Sequence, residues 1–280
     1  QLNFMKAGIV YADLVSTVSP TYAREIQTEE YGGKLDGLLR SRATKLSGIL
    51  NGIDYDVWNP GKDKYIAQKY TKTTVERKAK NKAALQAEAG LPRDSKAPLL
   101  GMVSRITEQK GLDILISALP KMLERGAHVV VLGAGEAKYE APLAELTKRG
   151  KNFMAYLKYD EALAHRIYAG SDFFLMPSRF EPCGLGQMIS LRYGTVPIVR
   201  ATGGLADTVL DVNEDPKRGN GFVFRDYSPE SLLDATRRAM EFLRGKRGWK
   251  GLQQKAMAAD YSWRASAEQY VRWYKRALNS

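Results

Sequence analysis

From Leu99 onward, short apolar runs alternate with stretches whose apolar residues recur at helical spacing, and this alternation restricts the possible folds more than any other feature of the chain. Residues 99–103, 129–132, 153–157, 173–176, 196–199 and 222–224 are runs of strand length. Between them, Leu112, Leu115, Ile116, Leu119, Met122 and Leu123 mark one helix. Further helices are expected through Leu143 and Leu146, over 161–169, 184–193 and 205–210, and in a long tail. Strands apolar on both faces, each followed by a helix, predict an α/β fold: a doubly wound parallel sheet with helices on both sides. Ligands of such sheets bind beyond the carboxyl ends of the strands. The chemistry is therefore expected in the loops 104–111, 133–136, 157–161, 177–186 and 200–204.

Residues 1–61 read as a different unit. Strand-like pieces at 12–18 and 47–50, with one helix between them, cannot enclose a core and are expected to be the end of a larger domain. The opening Gln1-Leu2-Asn3-Phe4, with neither an initiator methionine nor a signal segment, reads as an interior cut. Residues 62–248 then form the sheet domain. The helices of 249–280, with Tyr261, Trp263, Tyr270, Trp273 and Tyr274 on their faces, are expected to pack back on the first unit.

The 280 residues carry a formal charge of +12, which suggests phosphates, nucleic acid or membrane surfaces as partners. No apolar run approaches the ~18 residues of a membrane span. Half of the excess lies in residues 62–96, where ten Lys and Arg face four acids. That segment reads as a solvated linker helix, with Lys72, Lys78, Lys80 and Lys82 around a thin stripe of Val75, Ala79 and Ala83. It has neither the interleaved aromatics nor the module of a nucleic-acid binder, so no nucleic-acid partner is expected. The single cysteine, Cys183, excludes an internal disulfide. The two histidines, His128 and His165, are too few for a metal cluster and read as structural. Asp54-Tyr55-Asp56 has the look of a metal-binding pair but lacks further ligands and follows a turn, so no metal or cofactor is expected.

Four loop features carry chemistry. Arg105 and Lys110, five residues apart at a strand end, suit a diphosphate: arginine grips its oxygens bidentately and lysine adds a point charge. Two solvated bases would look the same. Thr202, Gly203 and Gly204 lie between a strand and a helix, where glycines let an anion approach free backbone N–H groups, or merely satisfy a tight turn. In the segment 177–185, Glu181 can bond sugar hydroxyls or steady developing positive charge. There Gly184 is expected to open a helix, and Cys183 reads as a pocket wall rather than a nucleophile, having no nearby histidine. Tyr159, in a strand-end loop, can stack on a nucleobase or anchor the core.

These segments in this order resemble the bacterial glycogen synthases and plant starch synthases. The resemblance rests on residues 104–111, 178–185, Thr-Gly-Gly-Leu-Ala-Asp-Thr at 202–208, Ile-Leu-Asn-Gly-Ile-Asp at 49–54 and Val-Ser-Pro-Thr-Tyr-Ala-Arg-Glu-Ile at 18–26. It implies the carboxyl-terminal half of a two-domain GT-B glycosyltransferase with facing Rossmann-like domains. The implied reaction is metal-independent transfer of glucose from ADP-glucose, with retention, to the non-reducing end of an α-1,4-glucan. It implies that Arg105 and Lys110 hold the diphosphate and that Thr202, Gly203 and Gly204 meet the distal phosphate and glucose through their amides. Glu181, Cys183, Gly184 and Leu185 would line the glucose site, Tyr159 would stack on adenine, and Asn51 would reach in from the other domain. A cytoplasmic enzyme, or a plastid one in a plant or alga, is implied as well.

Two departures qualify the resemblance. The Lys-x-Gly-Gly-Leu loop of the family's first domain is absent, so the chain alone is expected to bind ADP weakly and turn over little. Ile189 stands where related sugar-nucleotide transferases often carry a second glutamate. The competing readings are a related UDP-glucose-using transferase and a non-catalytic nucleotide- or glucan-binding module.

Overall fold

Ser19 and Pro20 show how the first unit is nucleated: the Ser19 hydroxyl accepts the Tyr22 N–H at 2.9 Å, and Pro20 supplies a pre-set φ at the first helical position. The computed structural model describes residues 3–245 and 248–278; Gln1 and Leu2, on which the reading of the opening partly rests, lie outside them. The unit comprises α1 (Phe4–Tyr11), β1 (Val15–Thr17), α2 (Pro20–Glu25), α3 (Asp36–Ser41) and β2 (Leu46–Gly48). β1 and β2 pair in parallel, Val15 opposite Leu46, and two helices rather than the expected one connect them.

A 3-10 turn over Lys72–Arg77 leads into α4 (Lys78–Glu88) and then the alternation: β3 (Leu99–Val103), α5 (Leu112–Glu124), β4 (His128–Leu132), α6 (Ala137–Arg149), β5 (Phe153–Tyr156), α7 (Glu161–Gly170), β6 (Phe173–Met176), α8 (Gly186–Arg192), β7 (Val196–Arg200), α9 (Gly203–Thr208), β8 (Phe222–Phe224) and α10 (Pro229–Arg244). The tail folds as α11 (Trp249–Ala258) and α12 (Trp263–Leu278). The six strands β3–β8 form one parallel sheet in the order β5-β4-β3-β6-β7-β8. Successive strand residues serve opposite faces: Leu100, Met102, Val129 and Val131 pack with Leu115, Leu119 and Leu232. Leu99, Val130, Leu132 and Phe174 pack with Leu85, Ile167 and Met188. Each such fully buried side chain contributes about 1.5–3 kcal/mol. The strand order reverses between β3 and β6, and the cleft above their carboxyl ends is the place where such a sheet binds ligands.

Two helix boundaries differ from expectation. α8 starts at Gly186, because Gly184 takes a left-handed φ of +74° that no helix continues through. α9 spans Gly203–Thr208 instead of 205–210.

The larger correction concerns the lysine-rich segment. α4 turns Lys78 and Lys82 inward and leaves Ala79 and Ala83 exposed, the reverse of the expected solvated face. The last carbonyls of α7 lack helical partners and need donors. Lys78 Nζ supplies them, at 2.6 Å from Ala169 O and 3.1 Å from Tyr168 O, and reaches Thr195 Oγ1 at 2.6 Å. Lys82 Nζ pairs with Asp172 at 2.6 Å. Burial, against the opposing pull of Asp172, pushes the Lys78 ammonium down to about 7. The unfolded chain holds that proton to pH ~10.4, so above about pH 7 it binds more protons than the folded chain, and stability rises with pH up to ~10. Lys78→Met should flatten that rise in urea midpoints measured at pH 7 and 9.5; parallel profiles for the two proteins would contradict it.

α11 packs on the 3-10 turn and on α8, and Leu252 enters the core. α12 is tied to the first unit: Ile53 bridges to Ser262, Ser266 Oγ donates to Leu50 O at 2.6 Å, and Arg276 Nη2 donates to Thr44 O at 2.7 Å. Tyr261 OH donates to Thr208 O at 2.8 Å, while Trp263 and Tyr274 keep half of their surface exposed. Among the described residues no helix is long and apolar enough to cross a membrane.

Candidate functional site

The loops after β3 and β6 are knitted together at the point where the strand order reverses. Arg179 N–H donates to Gln109 O at 2.9 Å, and Gln109 Nε2 donates to Phe180 O at 3.3 Å. Gly111 has φ +73°, and a Cβ there would lie 2.0 Å from Pro177 O, so only glycine lets the two loops approach this closely. This contact places Lys110 Nζ 2.6 Å from Glu181 Oε2, which also accepts from Ser178 Oγ at 3.0 Å. Glu181 is only 5% exposed. Arg105 lies at the surface, its guanidinium steadied by Gln109 Oε1 at 3.1 Å.

Arg105, Lys110, Ser178, Glu181, Gly184 and Leu185 share the walls of a cavity of about 280 Å³. A lysine ammonium has three donors, and the bond to Glu181 fixes it with others to spare. A second cavity of about 520 Å³ adjoins the first through Val103, Ser104, Arg105, Tyr168 and Ile189, and is walled largely by apolar side chains. Tyr159 stands on its rim, 87% exposed, beside Lys158, whose ammonium pairs with Asp160 at 2.8 Å. The two cavities together place a chamber with two cations and a carboxylate next to a largely apolar one.

Thr202, Gly203 and Gly204 line neither cavity. Gly203 N–H donates to Glu25 Oε1 at 2.9 Å, Thr202 Oγ1 donates to the same oxygen at 3.0 Å, and Gly204 N–H donates to Glu181 O at 3.1 Å. Both glycine amides are thus engaged within the protein. The glycines have a second reason to be there: a Cβ on Gly203 would lie 1.9 Å from Glu181 O, and one on Gly204 would lie 2.0 Å from Cys183 O. Glu25 comes from α2 of the first unit, and its other oxygen is buried without a hydrogen-bond partner among the described residues. The same helix is clasped at the far end of α9, where Asp207 accepts from Ser19 Oγ at 2.5 Å and Thr21 Oγ1 at 2.6 Å.

Cys183 is buried behind this turn. Burial pushes its thiol up, the Asn51 backbone N–H works against this, and the charges of Glu181 and Asp207 add to the rise. A thiol held protonated is not a nucleophile, and Cys183, expected in the wall of the pocket, lines neither cavity. The same contact brings Asn51 from the first unit against the loop that carries Glu181 and Cys183. Elsewhere, His165 and His128 are buried in hydrogen-bonded settings, and Asp54 Oδ1 is used within its own turn, accepting the Asp56 N–H at 2.8 Å.

Reasoning from residue types passed over Ser178, Glu25, Gln187 and Trp58. Ser178 sits three residues before Glu181, a spacing at which a serine hydroxyl reaches a carboxylate across a turn. Gln187 Nε2 donates to Cys183 O, Gly184 O and Thr208 Oγ1, at 3.0 to 3.1 Å, and so fastens the Glu181 loop to α8 and α9. Glu25 and Trp58 give no local signal, since their partners are far away in sequence.

Comparison with known proteins bears on the family and the fold. Residues 86–242 match the family model of glycosyl transferases group 1, and residues 1–41 match that of the starch synthase catalytic domain. The chain is 52% identical over its whole length to a glycogen synthase of Thermosipho africanus and covers 58% of that protein. It is 53% identical to a glycogen synthase of Moorella thermoacetica, of which it covers 57%. The chain therefore spans a little over half the length of the curated relatives it matches. Among solved structures, the catalytic domain of starch synthase IV from Arabidopsis thaliana, bound to ADP and acarbose, superimposes with a TM-score of 0.93 at 39% identity, covering all of this chain and 58% of that one. A sucrose-phosphate synthase from Thermosynechococcus elongatus, 22% identical with a TM-score of 0.66, shares the fold. A parallel sheet with its loops joined at the strand-order reversal, and a family model matching more than half of the residues, show that this chain belongs to the group 1 glycosyl transferases, with glycogen and starch synthases as its relatives.

Proposed function

We propose that this chain is the donor-binding half of a glycogen synthase that moves glucose from ADP-glucose, with retention, to the non-reducing end of an α-1,4-glucan. The observation that carries the reading is the convergence of Arg105, Lys110 and Glu181 on one cavity where the strand order reverses. As the glycosidic bond breaks, negative charge collects on the departing diphosphate and positive charge on the sugar. Arg105 is free to grip phosphate oxygens bidentately, and Lys110 is held where its remaining donors meet the same group. Glu181, kept buried between Lys110 and Ser178, faces the sugar with Gly184 and Leu185 beside it. Tyr159 closes over the base from the rim of the larger cavity.

In this reading Thr202, Gly203 and Gly204 support the glucose site from behind, and the Gly203 amide reaches a donor oxygen only when Glu25 withdraws. Asn51 and Cys183 form the seam with the first unit, residues 1–61. Residues 62–248 are the donor domain, and the helices of 249–280 fasten it to that unit. The chemistry calls on no metal, nucleic acid or membrane, and suits the cytoplasm, or a plastid in a plant or alga.

The test is glucose incorporation into a glycogen primer by the full-length protein, with ADP-glucose and UDP-glucose in parallel. The expected result is elongation with ADP-glucose at least tenfold the faster donor. Faster elongation with UDP-glucose would assign the chain to a different transferase, and no elongation with either would leave a binding module.

A further inference from the structure

One wall of the 520 Å³ cavity is an indole, Trp58, that comes from outside the sheet, in the segment following β2. It is half-buried, and its orientation is set from behind. The His165 ring stacks on it with centroids 4.2 Å apart and planes 15° from parallel, and Tyr168 meets it edge-on at 5.5 Å. His165 is itself pinned: its Nδ1 lies 2.8 Å from Asp63 Oδ2, which also accepts from Tyr193 OH at 2.5 Å. Burial works to raise the Asp63 pKa, but the bonds from His165, Tyr193 and the Tyr65 N–H outweigh it and hold the carboxyl below its ordinary value. The Trp58 backbone amide donates to Asp54 O at 2.8 Å, which fixes the chain that carries the indole. The indole is thus a plate backed on its inner side and turned toward a cavity whose wall carries Val103, Leu132 and Ile189 and, on its other parts, Lys158, Asp160 and Glu161.

We infer that Trp58 is a specificity-determining residue, the inner apolar wall against which the donor nucleobase packs, and that it favours a purine over a pyrimidine. This rests on the donor-site reading and adds to it the group that selects the base. Two fused rings bury more apolar surface against this wall than one ring does, and most of the surface that the cavity presents is apolar. Because the network behind Trp58 holds it in place, stacking costs little ordering. An aromatic contact to a base typically changes affinity by about tenfold or more when removed.

The experiment is calorimetric titration of the chain with ADP, UDP and inorganic diphosphate, for the wild type, Trp58→Ala, Trp58→Phe and Arg105→Ala. Trp58→Ala should weaken ADP about tenfold or more, UDP less than threefold, and diphosphate not at all; Trp58→Phe should keep most of the ADP affinity. Unchanged diphosphate binding shows that Trp58→Ala is folded. Should that variant not fold, saturation-transfer NMR of ADP with the wild type replaces it: transfer between the adenine protons and indole signals that vanish in Trp58→Phe is expected, and its absence overturns the inference. Equal losses for ADP and UDP, or none, also overturn it. Loss of both ADP and diphosphate binding in Arg105→Ala keeps the donor-site reading standing in either case, whereas an Arg105→Ala variant that binds both normally removes that reading instead.

Discussion

Lys110→Ala in the full-length protein is expected to lower kcat for glucan elongation by about a thousandfold, the scale on which preorganised charge stabilises a transition state. Two losses coincide in this variant. On the proposed reading the departing diphosphate loses a cation, and Glu181, whose side chain is 7% exposed, loses its ion pair and keeps Ser178. Breaking a buried pair from one side typically costs about 3–5 kcal/mol in stability. A second variant separates the two effects. Lys110→Ala combined with Glu181→Gln removes the unpaired charge and should recover most of the lost melting temperature, yet none of the activity. Rates within tenfold of wild type for Lys110→Ala would remove Lys110 from the transition state.

Gly204→Ala is the substitution with the next largest effect, and its cause is purely steric. The added methyl would lie 2.0 Å from Cys183 O and 2.6 Å from Cys183 Cα, so the obstacle is backbone and not a side chain that can turn away. Relief comes only by moving residues 181–183 or the turn before α9, which breaks the Gly204 N–H to Glu181 O bond as well. Overpacking of this kind costs about 1–3 kcal/mol. Activity should fall at least a hundredfold, because a displacement of about 1 Å at the reacting groups is worth that much. Gly251, with open space around it, is the control: Gly251→Ala should leave activity and stability near wild type. Melting temperature and kcat measured together check the pair, and a Gly204→Ala protein as active as Gly251→Ala would contradict the account.

The sheet was readable from the amino-acid sequence because its strands are buried on both faces and so appear as unbroken apolar runs; Leu99–Val103 and Phe173–Met176 are strands with the expected ends. The loops at their carboxyl ends followed from the same rule, which is why Arg105, Lys110 and Glu181 stand out there as candidates. What stayed hidden is set by tertiary partners. Lys78 and Lys82 look like a solvated face, since lysine ordinarily is one, and it takes distant partners, among them the open carbonyls of α7, Thr195 and the carboxylate of Asp172, to make their burial tolerable. Glu25 has nothing around it to mark it; its meaning comes from a turn 178 residues away that it caps. Gly203 and Gly204 invite the reading of a phosphate turn, but the close approach of residues 181–183 already demands glycine there, and both amides have protein partners. Helix starts slipped by two residues at Gly184, where a left-handed residue precedes the helix instead of opening it.

The most direct test of the central claim, a diphosphate site built by Arg105 and Lys110 at the strand-order reversal, is the affinity of this chain for ADP with and without the Arg105 guanidinium. Calorimetry should show saturable binding of one ADP per chain, weakened at least tenfold in Arg105→Ala and weakened again as salt screens the phosphate contact. ADP binding of equal strength in the two proteins, or no saturable binding by the wild type, would contradict the account.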